Sequence, residues 1–326
     1  MRTIKVKFVD RCIEKDFLDI LSKKYNVEIS EDPEYLFYSV FGTDHLKYDC
    51  IRIFWTCECY TPDFNECDYA IAFDRMSFGD RYLRLPLYRF NKYKKYYQEL
   101  FKPRTFTISD IKKKSKFCNF VYSNCFAQGE RVQFYEKLSQ YKRIESGGCY
   151  MNNVGGPVLD KLAFQKETKF TIAFENASYD GYLTEKLLEG FAAGTVPIYF
   201  GDPRVTLDFN KDAFINVNDY NSFDEVVDKV REIDNNDELY LKMLNTPPLL
   251  EHHDDTDFMN FIYHIIDQDY KAARRRSNSL TVKGYNSFKL RYRWTEKYIF
   301  MNIQRIKNTI IRLKNGTFIH KKPQQL

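Results

Sequence analysis

The stretch from Lys169 to Pro203 constrains the fold more than any other part of the 326-residue chain. An apolar segment, KFTIAF, leads into a polar loop, ENASYDGYL, then a helical pattern, TEKLLEGFAA, and a second apolar segment, TVPIYF. Gly194 stands where the helical pattern ends, a position that favours glycine. A strand, loop, helix and strand within about thirty residues is the size of a parallel βαβ crossover. The sequence therefore predicts an α/β fold.

Short apolar runs with little alternation precede this unit, and such runs are typical of strands buried on both faces of a parallel sheet. They cover residues 35–41, 50–55 and 69–73. Further strands are predicted at 3–10, where apolar residues alternate, and at 26–30, 117–122, 143–145 and 214–217. Helical patterns cover residues 15–24, 130–141, 222–232 and 258–267. We expect two Rossmann-like domains facing a cleft, with ligands at the carboxyl ends of the strands.

The predicted domain boundaries follow from composition. Leu85 to Tyr88 closes the first group of strands, and residues 89–114, rich in Lys, Tyr and Phe, have the composition of an inter-domain connection. We therefore expect an N-terminal domain at 1–113, a C-terminal domain at 114–280 and a tail at 281–326.

Composition excludes several classes of protein. No apolar run approaches the roughly 18 residues that cross a bilayer, and the N-terminus lacks the apolar centre of a signal peptide. The eight cysteines are then expected to be free thiols of a reducing cytosol. The absence of a GxGxxG or Walker motif argues against a dehydrogenase or an ATPase. Residues 1–270 hold 35 basic and 44 acidic side chains, so a nucleic-acid-binding body is not expected.

The loop from Glu175 to Lys186 is the first candidate site, because it joins a strand end to a helix start. Lys186 could hold a phosphate there, and Glu185 could bind ribose hydroxyls. The alternative is an ordinary surface helix start, where acids are common. Arg131, at the start of another predicted helix, could form a bidentate contact with a diphosphate, although a solvated helix arginine is the better interpretation of that segment alone.

Glu58 follows the strand at 50–55 and could act as a general base at the carboxyl end of that strand. Asp63, Glu66 and Asp68 are rivals on position alone. Two groups have the residue types of a metal site, Cys57, Cys59 and Cys67, and the run HHDDTD at 252–257. Neither has the spacing or the location of one, so we expect no metal and no cofactor.

The tail is strongly basic. Residues 271–326 contain fifteen Lys and Arg and a single acid, Glu296. From Trp294 to Leu313 apolar residues recur at helical spacing between basic ones, which indicates a basic amphipathic helix. We expect residues 294–322 to contact an anionic membrane, with the run of three arginines at 274–276 as a possible addition. The alternative is a last helix that packs its apolar face on the protein.

The segments FENASYDGYLTEK at 174–186 and FAAGTVPIYFGDP at 191–203 resemble the signature of the α-1,3-fucosyltransferases, glycosyltransferase family 10. The resemblance extends to IFWTCE at 53–58, DYAIAFD at 68–74, DRYLRLPLY at 80–88 and FCNFVYSN at 117–124 on to Arg131, and covers about residues 1–260. Bacterial members modify lipopolysaccharide O-antigens. The C-terminal heptad repeats that many of them carry are absent from this sequence, so we expect no repeat-driven dimer.

The resemblance implies a GT-B fold in which the first domain binds the acceptor and the second binds GDP-fucose. It implies a role for each matching residue: Glu58 as general base, Arg131 and Lys186 on the diphosphate, Glu185 on the ribose, and Asn176 and Tyr182 as donor-site contacts. Arg131, Lys186 and a helix dipole could replace a metal in stabilising the leaving diphosphate.

The implied reaction is an inverting, metal-independent transfer of L-fucose from GDP-β-L-fucose to O3 of GlcNAc or Glc in a lactosamine-like glycan, such as an O-antigen. An α-1,4 linkage is equally compatible. The partners expected are GDP-fucose, an oligosaccharide acceptor and an anionic membrane surface, with no nucleic acid, and the location is the cytoplasmic face of the inner membrane. The alternatives are a GT-B transferase with another GDP-sugar, or a non-catalytic protein that binds nucleotide sugars or membrane surfaces.

Overall fold

The first sheet is built from the predicted buried strands of the N-terminal part. A computed structural model describes residues 1–127, 129–252, 254–276, 292 and 295–314. The strands are β1 (Thr3–Val9), β2 (Asn26–Ile29), β3 (Tyr35–Tyr38), β4 (Ile51–Trp55), β5 (Tyr69–Ala72) and β6 (Tyr82–Arg84). They pair in parallel in the order β2-β1-β3-β4-β5-β6. Every residue of β3 and β5 is buried, as expected of strands covered on both faces.

Helices from both ends of the chain cover this sheet. They are α1 (Glu14–Leu21) and, from the C-terminal part, α9 (Thr256–Asp267) and α10 (Tyr270–Ala273). The ring of Phe17 meets that of Phe258 edge-on at 5.7 Å, and Arg2 donates to the carbonyl oxygen of Ile266 at 2.9 Å. The first compact unit therefore comprises Met1–Leu85 and the described residues between Asp254 and Lys314, whereas the sequence had assigned residues up to 280 to the second domain.

The second unit, Pro86–His253, carries a sheet of its own. Its strands are β7 (Lys116–Phe120), β8 (Ile144–Ser146), β9 (Thr168–Phe174), β10 (Val196–Phe200) and β11 (Ile215–Asn216). All pairs are parallel, in the order β11-β10-β9-β7-β8. The apolar segments at 169–174 and 195–200 are thus the neighbouring strands β9 and β10. The predicted α/β fold with two Rossmann-like units is confirmed.

Side chains cap several helices of the second unit. Its helices are α2 (Lys94–Glu99), α3 (Ile108–Lys112), α4 (Glu130–Ser139), α5 (Lys161–Lys166), α6 (Lys186–Ala192), α7 (Phe223–Asp234) and α8 (Asp237–Asn245). Asp160, Ser222 and Asn236 each accept a backbone N–H of the helix that follows. Gly194 ends α6 with a φ of 63°, the left-handed conformation that glycine adopts without strain.

The segment at 89–114 differs from its prediction as an inter-domain connection. Tyr93, Tyr97 and Leu100 are buried against the core residues of α6, and Arg104 donates to the carbonyl oxygens of Phe191 and Leu244 at 2.6–3.4 Å. Aromatic side chains that bury this much area form core rather than linker. The division between the units therefore falls at Pro86, directly after β6, and not at 114.

The tail contains a helix, as expected. A π-helical turn at Glu296–Phe300 leads into α11 (Met301–Lys314), in which no residue is buried. Its apolar side chains are exposed, including Ile303, Ile306 and Ile310. Trp294 and residues 315–322 lie outside the described residues. Within the described residues, no helix combines the length and the apolarity needed to cross a membrane.

The three arginines before the tail form ion pairs within the first unit, and the suggestion that they contact a membrane stays a prediction. Arg274 forms an ion pair with Asp49, and Arg275 pairs with Asp80 at 2.7 Å. Arg276 Nε lies 3.1 Å from Asp68, whose side chain also accepts the backbone N–H groups of Arg275 and Arg276. Because Asp68 is fully buried, this contact fixes the segment to the sheet.

Candidate functional site

The candidate site lies where β9 ends, at the carboxyl edge of the second sheet. Glu175, the residue after β9, donates its backbone N–H to the carbonyl oxygen of Phe200 at 2.7 Å, which ties the loop at 175–185 to the end of β10. The backbone at Gly201 passes close to the Glu175 side chain, since a Cβ there would lie 2.5 Å from Glu175 Cγ. Glycine is therefore required at position 201 for this loop to close.

Lys186 is a largely buried cation, with 13% of its side chain exposed, and two carboxylates lie beside it. Its Nζ lies 2.9 Å from Glu175 Oε2, 2.8 Å from Thr184 Oγ1 and 3.6 Å from Glu185 Oε1. Burial is the largest influence on the pKa of Lys186 and opposes its charge, but Glu175 and Glu185 outweigh it and raise the pKa above the ordinary lysine value. Lys186 is therefore charged throughout the neutral range.

Glu175 anchors the lysine, and the sequence analysis did not single it out. Its carboxylate accepts the backbone N–H of Thr184 at 2.8 Å and the Thr184 hydroxyl at 2.7 Å, in addition to Lys186. The residue is only 2% exposed. An acid placed directly after a buried strand was the signal in the sequence, because a carboxylate in that position must find partners inside the fold.

Arg131 is buried in α4, so the solvated helix arginine considered for this segment is wrong. The residue is 2% exposed, and one terminal nitrogen donates to the Phe174 carbonyl oxygen at 3.0 Å and to Asn176 Oδ1 at 2.9 Å. The other donates to the Asn124 carbonyl oxygen at 3.4 Å. Among the described residues Arg131 Nε has no hydrogen-bond partner, which leaves one buried donor for a ligand.

Tyr122 lies against Arg131, and sequence reasoning missed it as well. The guanidinium carbon of Arg131 stands 4.0 Å from the centre of the Tyr122 ring. Burial raises the pKa of Tyr122 to about 12, and the charges of Arg131 and Lys186 both oppose that rise. The phenol also bridges the end of β9, because it donates to the Ile172 carbonyl oxygen at 2.8 Å and accepts the Phe174 N–H at 2.7 Å.

The other predicted donor-site residues belong to the same loop. Asn176 is held by Arg131, and Tyr182 is 1% exposed with its backbone N–H on the Tyr179 carbonyl oxygen. Glu185 is half-buried at the N-cap of α6. Burial is the largest influence on its pKa and raises it, but the charges of Lys186 and Lys161 prevail and the pKa lies below the ordinary value. The structure thus brings together the five residues predicted for this unit.

Glu58 lies in the first unit, in the loop after β4. Its backbone N–H donates to Thr56 Oγ1 at 3.0 Å, and its side chain is half-buried. Glu66 and Asp68 are buried in other interactions: Glu66 Oε2 lies 3.2 Å from His45 Nε2, and Asp68 binds the arginine segment. These two are therefore unsuitable as a general base for an incoming hydroxyl, whereas Glu58 and Asp63 remain at the carboxyl end of the sheet.

The predicted absence of a metal site stays a prediction. Among the residues described, no three or more His, Cys, Asp or Glu side chains converge as metal ligands. Of the run at 252–257, the His252 ring lies 4.6 Å from the Phe101 ring, and His253 is outside the described residues. Cys67 is buried, with its thiol on the Asp63 carbonyl oxygen, and Cys57 and Cys59 are half-buried.

Comparison with known proteins identifies relatives of both units. The model of the alpha-(1,3)-fucosyltransferase FucT N-terminal domain matches residues 5–91, and that of the C-terminal part of glycosyltransferase family 10 (fucosyltransferase) matches residues 111–247. The alpha-(1,3)-fucosyltransferase FucT of Helicobacter pylori is 33% identical over 265 residues, 71% of this chain and 55% of that protein.

Human 4-galactosyl-N-acetylglucosaminide 3-alpha-L-fucosyltransferase 9 is 34% identical over 142 residues, which are 42% of this chain and 39% of that protein. The chain therefore spans about half or less of the length of these curated relatives. A crystal structure of an alpha1,3-fucosyltransferase with GDP-fucose superposes with a TM-score of 0.70 at 28% identity, over 82% of this chain and 92% of that one. The corresponding structure with GDP gives 0.71 at 27% identity, over 85% and 93%.

The two family models together match most of the chain, and the structural likeness extends over both parallel-sheet units. The chain therefore has the GT-B fold and belongs to glycosyltransferase family 10, the fucosyltransferases.

Proposed function

We propose that this chain is an inverting fucosyltransferase that transfers L-fucose from GDP-β-L-fucose to O3 of GlcNAc or Glc in a lactosamine-like glycan, such as an O-antigen. One observation carries the donor assignment: two cations meet the end of β9, because Arg131 donates to the Phe174 carbonyl oxygen at 3.0 Å and Lys186 donates to Glu175 Oε2 at 2.9 Å, at the carboxyl edge of the sheet. Ligands of open α/β sheets bind at that edge. The relative with the same fold that was crystallised with GDP-fucose supports the choice of donor.

The leaving diphosphate gains negative charge as the bond from fucose C1 to the β-phosphate oxygen breaks. Arg131 and Lys186 stabilise that charge electrostatically, and they do so strongly because their surroundings exclude water. Arg131 Nε is the donor left for a phosphate oxygen. Two fixed cations supply what a divalent ion supplies elsewhere, so we propose that the transfer needs no metal.

Glu58 removes the proton from the acceptor hydroxyl. The oxygen of that hydroxyl attacks fucose C1 from the face opposite the diphosphate. Inversion in such a step follows from a single displacement assisted by one carboxylate base. Glu185 binds the ribose hydroxyls through its carboxylate, and Asn176 and Tyr182 complete the donor contacts. The support for these roles is the location of each residue and the resemblance to the family.

The tail brings the enzyme to its acceptor. The exposed apolar side chains of α11 alternate with Arg305, Lys307, Arg312 and Lys314, which is the composition of helices that lie on anionic membranes. We propose that the protein works as a peripheral enzyme on the cytoplasmic face of the inner membrane, where lipid-linked glycans are accessible.

The test is transfer from a panel of GDP-sugars to N-acetyllactosamine and to lactose, with and without EDTA. We expect fucosylation from GDP-fucose alone, unchanged by EDTA, with the new bond at O3 by NMR. Transfer from a different GDP-sugar instead of GDP-fucose would show that the proposed donor is wrong. Loss of activity in EDTA would overturn the metal-independent mechanism. Failure of every GDP-sugar to bind would overturn the assignment of the donor site.

A further inference from the structure

The positive and negative side chains around Lys186 are equal in number, although a site that binds a diphosphate is expected to carry a net positive charge. Arg131 and Lys186 contribute two positive charges, and Glu175 and Glu185 contribute two negative ones beside Lys186. A site built only to hold an anion would not bury a carboxylate 2.9 Å from its own lysine. The arrangement therefore needs a reason beyond affinity for the donor.

Glu175 is fixed in place and has no freedom to move away when a ligand binds. Its two carboxylate oxygens are held by the backbone N–H and the hydroxyl of Thr184, and its own N–H is bonded to the Phe200 carbonyl oxygen. A Cβ at position 201 would collide with its side chain, so the surrounding backbone closes tightly on it. The negative charge of Glu175 thus acts on any anion that Lys186 binds.

The substrate and the product differ in charge. The diphosphate of GDP-fucose carries two negative charges, whereas GDP has a terminal phosphate whose second ionisation has a pKa of about 6, so GDP carries about one more near pH 8. A purely cationic site would bind GDP more tightly than GDP-fucose and would release the product slowly. A buried carboxylate next to the lysine repels the extra charge of GDP more than it repels the donor.

We infer that Glu175 is a positioning residue that holds Lys186 and also selects against the additional charge of GDP, so that the product leaves the donor site. The inference rests on the proposed function, in that Lys186 must contact the diphosphate. According to this inference, the charge of Glu175 sets how tightly GDP binds relative to GDP-fucose, that is, the ratio of their dissociation constants. It does not set the affinity for either ligand alone.

The test measures the Kd of GDP and of GDP-fucose by calorimetry near pH 8, with the full chain and with Glu175→Gln. The amide keeps the shape of the side chain and can still accept the Thr184 N–H, but it removes the charge. We expect the variant to tighten GDP by about tenfold relative to GDP-fucose, as a unit charge several ångströms away in a partly buried site requires. A burst of fucosylated product followed by slow GDP release should accompany this change.

A merely structural role for Glu175 gives a different result, because a damaged site binds both ligands less tightly and leaves their ratio unchanged. That outcome would overturn the inference. The matched control is Glu189→Gln. Glu189 lies on α6, the helix that also carries Lys186, but its carboxylate forms an ion pair with Lys161 at 2.5 Å rather than with Lys186. If Glu189→Gln changes the ratio of the GDP and GDP-fucose dissociation constants equally, the effect comes from the net charge of the region and not from Glu175.

The unmodified protein gives a second measurement that does not depend on the folding of a variant. The charged and titratable groups around Lys186 are Glu175, Glu185, Glu189, Lys161, Arg131, Tyr122 and Tyr182. As the pH rises from about 6 to about 8, GDP gains its extra charge, and we expect its Kd relative to that of GDP-fucose to stay level or increase. A tightening of about tenfold would contradict the inference.

Lys186→Gln separates the two proposals. If this variant binds GDP-fucose as tightly as the unmodified protein, the donor site itself is wrong and the inference about Glu175 falls with it. If Lys186→Gln weakens GDP-fucose binding but Glu175→Gln leaves the ratio of GDP to GDP-fucose affinities unchanged, only the inference about Glu175 is wrong.

Discussion

The guanidinium carbon of Arg131 lies 4.0 Å from the centre of the Tyr122 ring, and both residues are buried. A cation over an aromatic face in a desolvated site gains about 2 kcal/mol. Tyr122→Leu removes that face, so Arg131 loses its orientation toward the diphosphate. We expect a rise of about tenfold in the KM for GDP-fucose, measured with saturating acceptor.

Tyr122→Phe is the matched control for the ring. It keeps the aromatic face but removes the hydroxyl that accepts the Phe174 N–H, and a buried donor left without a partner costs about 1–3 kcal/mol. We expect a lower unfolding free energy in urea with a nearly unchanged KM for GDP-fucose. If the two variants raise the KM equally, the ring has no role in orienting Arg131.

Glu58→Gln removes the proposed base and keeps the shape of the side chain. General base catalysis contributes about 10²–10⁴ in rate, so we expect kcat to fall by at least a hundredfold while calorimetry shows the same Kd for GDP-fucose. Asp63→Asn is the control, because Asp63 is the rival acid in the same loop and an asparagine can still accept the N–H of Asn65. Full activity of Glu58→Gln would exclude Glu58 as the base.

Local sequence patterns correctly predicted most of the buried strands and the helix between β9 and β10. The βαβ unit at 169–203 is β9, α6 and β10, because apolar runs and a terminal glycine are enough to specify a buried crossover. Strand β6 was missed because Arg81 and Arg84 interrupt its apolar run, and the predicted closure at Leu85 to Tyr88 falls after it. The return of α9 to the first sheet depends on long-range contacts such as Phe17 with Phe258, which no local pattern reveals.

The same distinction applies to the candidate site. Lys186 was predicted because a cation at a helix start after a strand end is a known arrangement for anions, whereas the family resemblance was needed to assign Arg131 to the diphosphate. Glu175 and Tyr122 were not found, because their roles come from contacts made after folding: one carboxylate lies 2.9 Å from a lysine, and one ring lies beneath an arginine. Side chains that position other side chains carry no spacing signal of their own.

Lys114 gives a prediction about pH and stability. Burial lowers its pKa to about 8, while its Nζ donates to the carbonyl oxygens of Lys166 and Thr168 at 3.1 Å. The unfolded chain keeps the ordinary value of 10.5, so between about pH 8 and 10.5 it binds more protons than the folded protein. The contribution of Lys114 to the unfolding free energy therefore rises with pH across this window.

The measurement compares urea unfolding of the unmodified protein and Lys114→Met at about pH 7.5 and pH 9.5. We expect the difference in unfolding free energy to shift in favour of the unmodified protein at the higher pH. Lys113→Met is the control, since Lys113 is exposed and forms a surface ion pair with Asp110. A difference that is independent of pH for Lys114→Met would show that the folded protein keeps this lysine protonated.

The tail helix gives a prediction about membranes. Ile306 and Ile310 are 63% and 46% exposed on α11, so replacing both with aspartate leaves the folded core intact. Because membrane affinity of such a helix depends on buried apolar area and on attraction to anionic lipid, we expect the double variant to lose at least tenfold in binding to phosphatidylserine vesicles. Cosedimentation measures the affinity, and thermal unfolding should give an unchanged Tm.

For Arg276→Gln we expect a loss of stability and no loss of vesicle binding, because Arg276 forms an ion pair with the buried Asp68 and is itself nearly buried. Removing one partner of a buried ion pair costs about 3–5 kcal/mol, so the Tm should fall while binding of the folded protein to vesicles stays the same. Neutral phosphatidylcholine vesicles and high salt should both weaken binding of the unmodified chain. If the Ile306 and Ile310 variant binds vesicles as tightly as the unmodified chain, the tail does not anchor this protein.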